Sequence, residues 1–166
     1  QGAYAAVIPR WVSSLAADEA CVVMGDGETS RDFVHVDDAV QANLLAATVE
    51  DESVTSQVYN VASGSATTLN QLYAILRAEM VRKRQLTPPD AVYAEFRPGD
   101  IRHSQADLSR ISHDLGYSPT RTVADGIGEA IGWYLAIDTP PRGQRRFSLD
   151  SSGPPSLSVI PPRDDA

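Results

Sequence analysis

Residues 25–38 read GDGETSRDFVHVDD. A turn with two glycines runs into a charged pair, Arg31-Asp32, then into an apolar run and a second acidic pair, Asp37-Asp38. Locally, Gly25-Asp26-Gly27 can serve as a hairpin turn and Arg31-Asp32 as a solvated strand end. The flanks agree: CVVMG before the turn and RDFVHV after it are short and β-branched, which predicts two strands joined by the glycine turn. Upstream, YAAVIPRWVSSLAA spaces its apolar residues as a helix does. Downstream, VDDAVQANLLAATVE is a helix whose acidic first turn suits the dipole.

Further along, QVYNVAS reads as a buried strand, and TTLNQLYAILRAEMVRKR as an amphipathic helix capped by threonine and stopped before Pro88-Pro89. AVYAEF is a strand, RPGDIRHS a loop, ADLSRISHDLG a helix ending at Gly116, and TVADGIGEAIGWYLAI a last helix. There is no internal repeat. From Thr139 the chain is rich in Pro, Ser and Gly, which predicts a folded part over residues 1–138 and a disordered tail over residues 139–166. Strands are few, short and separated by helices, and no segment forms a complete βαβαβ half-domain, so the expected product is a small α/β lobe.

The 166 residues carry a formal net charge of -8 and a sequence pI of about 4.7. The tail holds four Arg and three Asp, leaving 10 basic and 19 acidic residues before it, a net of -9 for residues 1–138. Such a surface disfavours nucleic acid and anionic membranes as partners, so an anionic ligand must be held by a few placed arginines. The single cysteine, Cys21, excludes an internal disulfide, and without a Cys/His cluster no zinc site is expected; a reduced, cytoplasmic setting follows. No apolar run approaches a membrane span and no signal peptide opens the chain, while Gln1 in place of Met suggests a start inside a longer protein.

Several chemistries lack their residues. A tyrosine acid/base four positions before a lysine would place both on one helix face, but the only lysine, Lys83, has Glu79 at that spacing. G-x-G-x-x-G is incomplete at Gly25 and Gly27, and Gly126-x-Gly128 lies inside a helix, so neither is a dinucleotide loop. His35, in a strand, and His113, on a helix, read as structural, and no two of the three histidines make a ligand pair. Three arginines beside turns remain: Arg31, Arg97 and Arg102. A guanidinium can grip phosphate oxygens with a bidentate fork, and loops present such groups well.

In combination, GAYAAVIPRW, GDGETSRDFVHVDDAVQANLLA, VYNVASG, TLNQLYAIL, RPGDIRHSQADLSRISHDLGYSP and GIGEAIGWY resemble, in order, the C-terminal half of extended short-chain dehydrogenase/reductase enzymes, most closely bacterial UDP-N-acetylglucosamine 4-epimerases. The resemblance covers nearly all of residues 2–136 and implies a small mixed α/β C-terminal lobe, with the Rossmann domain, its NAD and the Tyr/Lys dyad outside this chain. It implies a UDP-sugar site at Ala6, Val7, Val22, Met24, Arg31, Arg97, Asp100 and Ser104: backbone around Val22 and Met24 on uracil, Arg31 and Arg97 on the diphosphate, Asp100 on the ribose. The small Ser104 would leave room for a 2-acetamido group. It further implies a homodimeric full-length enzyme of surface-polysaccharide synthesis, in which the sugar C4 is oxidised by NAD and reduced on its other face. A dehydratase or decarboxylase of the same superfamily, and a non-catalytic remnant that binds nucleotide sugars weakly, stay open beside it.

Overall fold

The computed structural model describes residues 6–85 and 87–137. The expected tail over residues 139–166 lies outside them. Five helices and four short strands run along these residues: α1 Val7–Ala16, β1 Val22–Met24, β2 Ser30–Asp32, α2 Val36–Thr48, β3 Ala66–Thr68, α3 Leu69–Arg84, β4 Val92–Ala94, α4 Ser109–Leu115 and α5 Val123–Ile137. None of the described helices is long and apolar enough to cross a membrane.

Helical spacing builds the main core. Trp11, Val12 and Leu15 of α1, Leu72, Leu76 and Met80 of α3, and Ile127, Ile131 and Leu135 of α5 face one another, and β1 adds the buried Val23 beside Cys21. Thr68 and Gln71 start α3 with a reciprocal capping box, the threonine oxygen accepting from Gln71 N–H at 3.1 Å and the glutamine oxygen from Thr68 N–H at 2.9 Å. A second cluster joins Ala42 of α2 to Ile111 and Leu115 of α4 and to Tyr117.

The strands around the glycine turn do not form the expected hairpin. β1 pairs in parallel with β4, Val23 opposite Tyr93. β2 pairs antiparallel with β3, Arg31 opposite Thr67. The glycines explain the divergence. Gly25 and Gly27 have φ of +70° and +76°, and a Cβ on Gly25 would lie 2.2 Å from the Phe96 ring, one on Gly27 2.0 Å from the Asn70 side chain. These packed neighbours steer the chain out of the first sheet. β2 then finds its second edge in residues 102–104, with Ser30 N–H donating to the Arg102 carbonyl at 2.8 Å and Ser104 N–H to the Ser30 carbonyl at 3.2 Å.

Two further expectations are corrected. Residues 57–63 form no strand, and Val58 is 84% exposed, because no neighbouring strand among the described residues offers them a ladder. β2 stops at Asp32, and His35 is the N-cap of α2 rather than a strand residue, its Nδ1 accepting from Asp37 N–H at 3.2 Å.

Two acids of the opening stretch, Asp32 and Asp38, are latches. Asp32 accepts from Ser63 N–H at 2.8 Å, the Ser63 hydroxyl at 2.6 Å, Gly64 N–H at 3.1 Å and Ala106 N–H at 3.3 Å. Asp38, 1% exposed, accepts from Thr120 N–H and its hydroxyl, both at 2.9 Å, and from Arg121 N–H at 3.2 Å. One motif thereby ties three distant loops to β2 and α2.

Candidate functional site

The edge of β1 away from β4, which pairs with no strand among the described residues, begins the site. The Cys21 carbonyl accepts from Val92 N–H at 2.9 Å and Gly25 N–H donates to the Ala94 carbonyl at 2.8 Å, so the odd-numbered residues of this stretch bond to β4. The backbone groups of Val22 and Met24 therefore face the opposite edge. There the Trp11 indole N–H donates to the Val22 carbonyl at 3.2 Å. Met24 keeps an N–H and a C=O side by side on that edge, the pattern a base edge can pair with.

Beside this edge lies a cavity of about 280 Å³. Val7, Arg10 and Trp11 border it from α1, Val22 and Met24 from β1, and Arg31 from β2; Thr29, Leu69, Arg97 and Asp100 complete the wall. Six of the eight residues expected from the sequence thus meet at one cavity, although they come from four separate stretches. Ala6 and Ser104 do not line it. Ala6 is the N-cap residue of α1, and Ser104 is exposed and held to β2 through its backbone.

Arg31 is braced. One Nη donates to the carbonyl of Ser30 at 2.8 Å and lies 3.5 Å from that of Arg102, while the other pairs with the Asp100 carboxylate at 2.5 Å. Asp100 is carried by a tight turn in which its N–H donates to the Arg97 carbonyl at 3.2 Å. Arg97 is exposed, and its guanidinium has no partner among the described residues. Arg102 stands apart from the cavity: it pairs with Asp26 at 2.5 Å and sits 5.1 Å over the Phe96 ring. The wall therefore offers apolar surface, a strand edge and cations, with one carboxylate. That combination suits a ligand with a flat polar ring joined to an anion.

Arg10, Trp11, Thr29 and Leu69 were missed in the sequence. For two of them the signal was present: Val7, Arg10 and Trp11 are spaced i, i+3 and i+4, one face of a helix.

Among the described residues this wall carries no histidine, cysteine or tyrosine, and its one carboxylate, Asp100, is paired with Arg31. Burial pushes the Cys21 thiol up to about 11, and burial also raises Tyr73 and Tyr117. The residues do not fit a dinucleotide either. Gly25 and Gly27 are filled by Phe96 and Asn70, and Gly126 and Gly128 lie inside α5, so neither pair forms a strand-to-helix loop for a pyrophosphate. A second cavity of about 290 Å³, between α1, α5 and residues 33–36, has no arginine or lysine on its wall. His103 and His113 are engaged structurally, with the Ser30 hydroxyl at 3.0 Å and Asp114 at 2.8 Å.

Residues 1–62 match the model of the NAD dependent epimerase/dehydratase family. The chain is 34% identical to a dTDP-L-rhamnose 4-epimerase of Burkholderia thailandensis, covering 73% of this chain and 32% of that protein. To a dTDP-glucose 4,6-dehydratase of Streptomyces griseus it is 28% identical, covering 77% and 37%. Among solved structures, the UDP-N-acetylglucosamine 4-epimerase of Methanobrevibacter ruminantium, in complex with UDP-N-acetylmuramic acid, superposes with a TM-score of 0.71 at 33% identity over 82% of this chain and 41% of that one. The chain spans about a third to two fifths of these relatives' length.

Proposed function

We propose that this chain, related to the NAD dependent epimerase/dehydratase family through its first 62 residues, is the nucleotide-sugar-binding part of a UDP-N-acetylglucosamine 4-epimerase. One observation carries the reading: Val22 and Met24 on the edge of β1 away from β4, Arg31, Arg97 and Asp100 border one cavity. In this reading uracil pairs with the Met24 backbone, the two guanidiniums hold the diphosphate, and Asp100 turns from Arg31 to the ribose hydroxyls when phosphate oxygens take its place. Binding through base and diphosphate leaves the sugar free to present either face.

A second face supports a larger assembly. Val36, Val40 and Leu44 follow one another at i, i+4 and i+8 on α2 and are 67%, 50% and 60% exposed. An exposed apolar stripe on one helix face fits a face covered by a further domain, and the proposal assigns it to the NAD-binding part.

Ser104 is assigned to the sugar end, where its small side chain leaves space for an acetamido group. A dehydratase acting on a dTDP-sugar is the second reading, favoured by the Streptomyces griseus relative, and backbone pairing alone admits thymine as well as uracil. The test is equilibrium binding of UDP-N-acetylglucosamine, UDP-glucose and dTDP-glucose to the 166-residue chain, with turnover followed after NAD is added. The proposal expects UDP-N-acetylglucosamine to bind and no conversion to occur. In the full-length enzyme, Ser104→Tyr then lowers turnover of the N-acetyl sugar while sparing UDP-glucose. Preference for dTDP-glucose favours the dehydratase, and conversion by the chain alone contradicts the assignment of the chemistry to another part.

A further inference from the structure

Three arginines border the cavity, and they are not equally neutralised. Arg31 is paired with Asp100, the one carboxylate on the wall, whereas Arg10 and Arg97 are exposed and have no side-chain partner among the described residues. Arg10 also sits where a cation is locally disfavoured. It lies at the fourth position of α1, near the positive end of the macrodipole, and no acidic residue occupies the first turn to offset it. Helical spacing nonetheless turns it, with Val7 and Trp11, toward the cavity. A charge placed against local preference and left uncompensated among the described residues fits a residue kept for a ligand.

We infer that Arg10 is a third anion-binding residue of this cavity, gripping the diphosphate from α1, while Arg31 on β2 and Arg97 complete the grip. The inference rests on the nucleotide-sugar reading and deepens it. With Arg31 and Asp100 cancelling, Arg10 and Arg97 leave two positive charges at the wall of a chain whose formal net charge is -8. A diphosphate that links a nucleoside to a sugar carries one negative charge on each phosphorus, so the local balance matches that ligand. Arg10 is thus a specificity residue: it favours diphosphate-bearing ligands over the nucleoside alone.

Chemical-shift titrations of the 166-residue chain with UDP, inorganic pyrophosphate and uridine test this in the wild type, Arg10→Gln and Arg10→Lys. Arg10→Gln is expected to weaken UDP and pyrophosphate about tenfold, the scale of one charge-assisted contact, and to leave uridine unchanged. Arg10→Lys recovers part of the loss, and the salt dependence of UDP binding becomes shallower in Arg10→Gln. Unchanged UDP affinity in Arg10→Gln overturns the inference. So does equal weakening of uridine, which would show that Arg10 acts through the structure of α1; coincident melting curves for the variants keep that case apart. A wild-type chain that binds none of the three ligands removes the nucleotide-sugar reading itself, and Arg10's role with it.

Discussion

Asp38→Asn lowers the stability of the chain by about 2–3 kcal/mol, read as a reduced urea midpoint with an unchanged slope. The carboxylate is buried and accepts three hydrogen bonds from Thr120 and Arg121, which pin the loop before α5 to the first turn of α2. An asparagine keeps one acceptor oxygen but turns an amide N–H toward a backbone N–H, leaving at least one donor unpaired. Burial by itself pushes the Asp38 carboxyl up, but the Thr120 and Arg121 donors outweigh it and hold the group below its ordinary value of 3.8. Its stabilisation is thus complete above that value and is lost as pH falls through the lower folded one. Acid unfolding of the wild type below about pH 4 should consequently lose more stability than acid unfolding of Asp38→Asn. Identical acid profiles, or a variant as stable as the wild type at neutral pH, would show that the latch contributes little.

Arg31→Ala weakens binding of UDP-N-acetylglucosamine by about 1.5–3 kcal/mol, the range for hydrogen bonds to charged groups. Arg31 is braced by the Ser30 carbonyl and by Asp100, so its fork is already oriented before any ligand arrives and little side-chain entropy is lost on binding. Arg31→Lys recovers only part of the affinity, because an ammonium cannot reproduce the planar fork. Arg102→Ala serves as the control. It is one residue from the same backbone ladder, yet its side chain faces Asp26 and Phe96 and does not line the cavity. Equal losses in the two variants would mean that this corner of the fold, rather than an arginine on the cavity, sets affinity.

The helices were legible because their signals are local. Thr68 and Gln71 announce the start of α3, Gly116 takes the left-handed conformation that ends α4, and the spacing of Leu72, Leu76 and Met80 identifies the buried face. Strand pairing was not legible, because partners are chosen far along the chain. The turn at residues 25–29 looked like a hairpin, and only Phe96 over Gly25 and Asn70 beside Gly27 reveal why its two strands part company. Residues 57–63 carry a strand's composition without a strand's neighbours, and composition cannot report whether a ladder partner is present.

The site shows the same division. Arg31, Arg97 and Asp100 could be singled out from turns and from family resemblance, but the contact between Arg31 and Asp100 spans 69 positions and needs β2 to be seated between β3 and residues 102–104. Arg10 escaped notice because a helix-face arginine reads as solvated until the cavity beside it is seen. The charged pair in the motif divides its work: Arg31 faces the cavity, and Asp32 ties residues 63–64 and Ala106 to β2.

The most direct test of the central claim is a crystal structure of the chain with UDP-N-acetylglucosamine bound. The account predicts the uracil edge paired with the Met24 backbone and diphosphate oxygens within hydrogen-bond distance of both Arg31 and Arg97. A nucleotide bound elsewhere, or one in this cavity with its diphosphate turned away from both arginines, would contradict it.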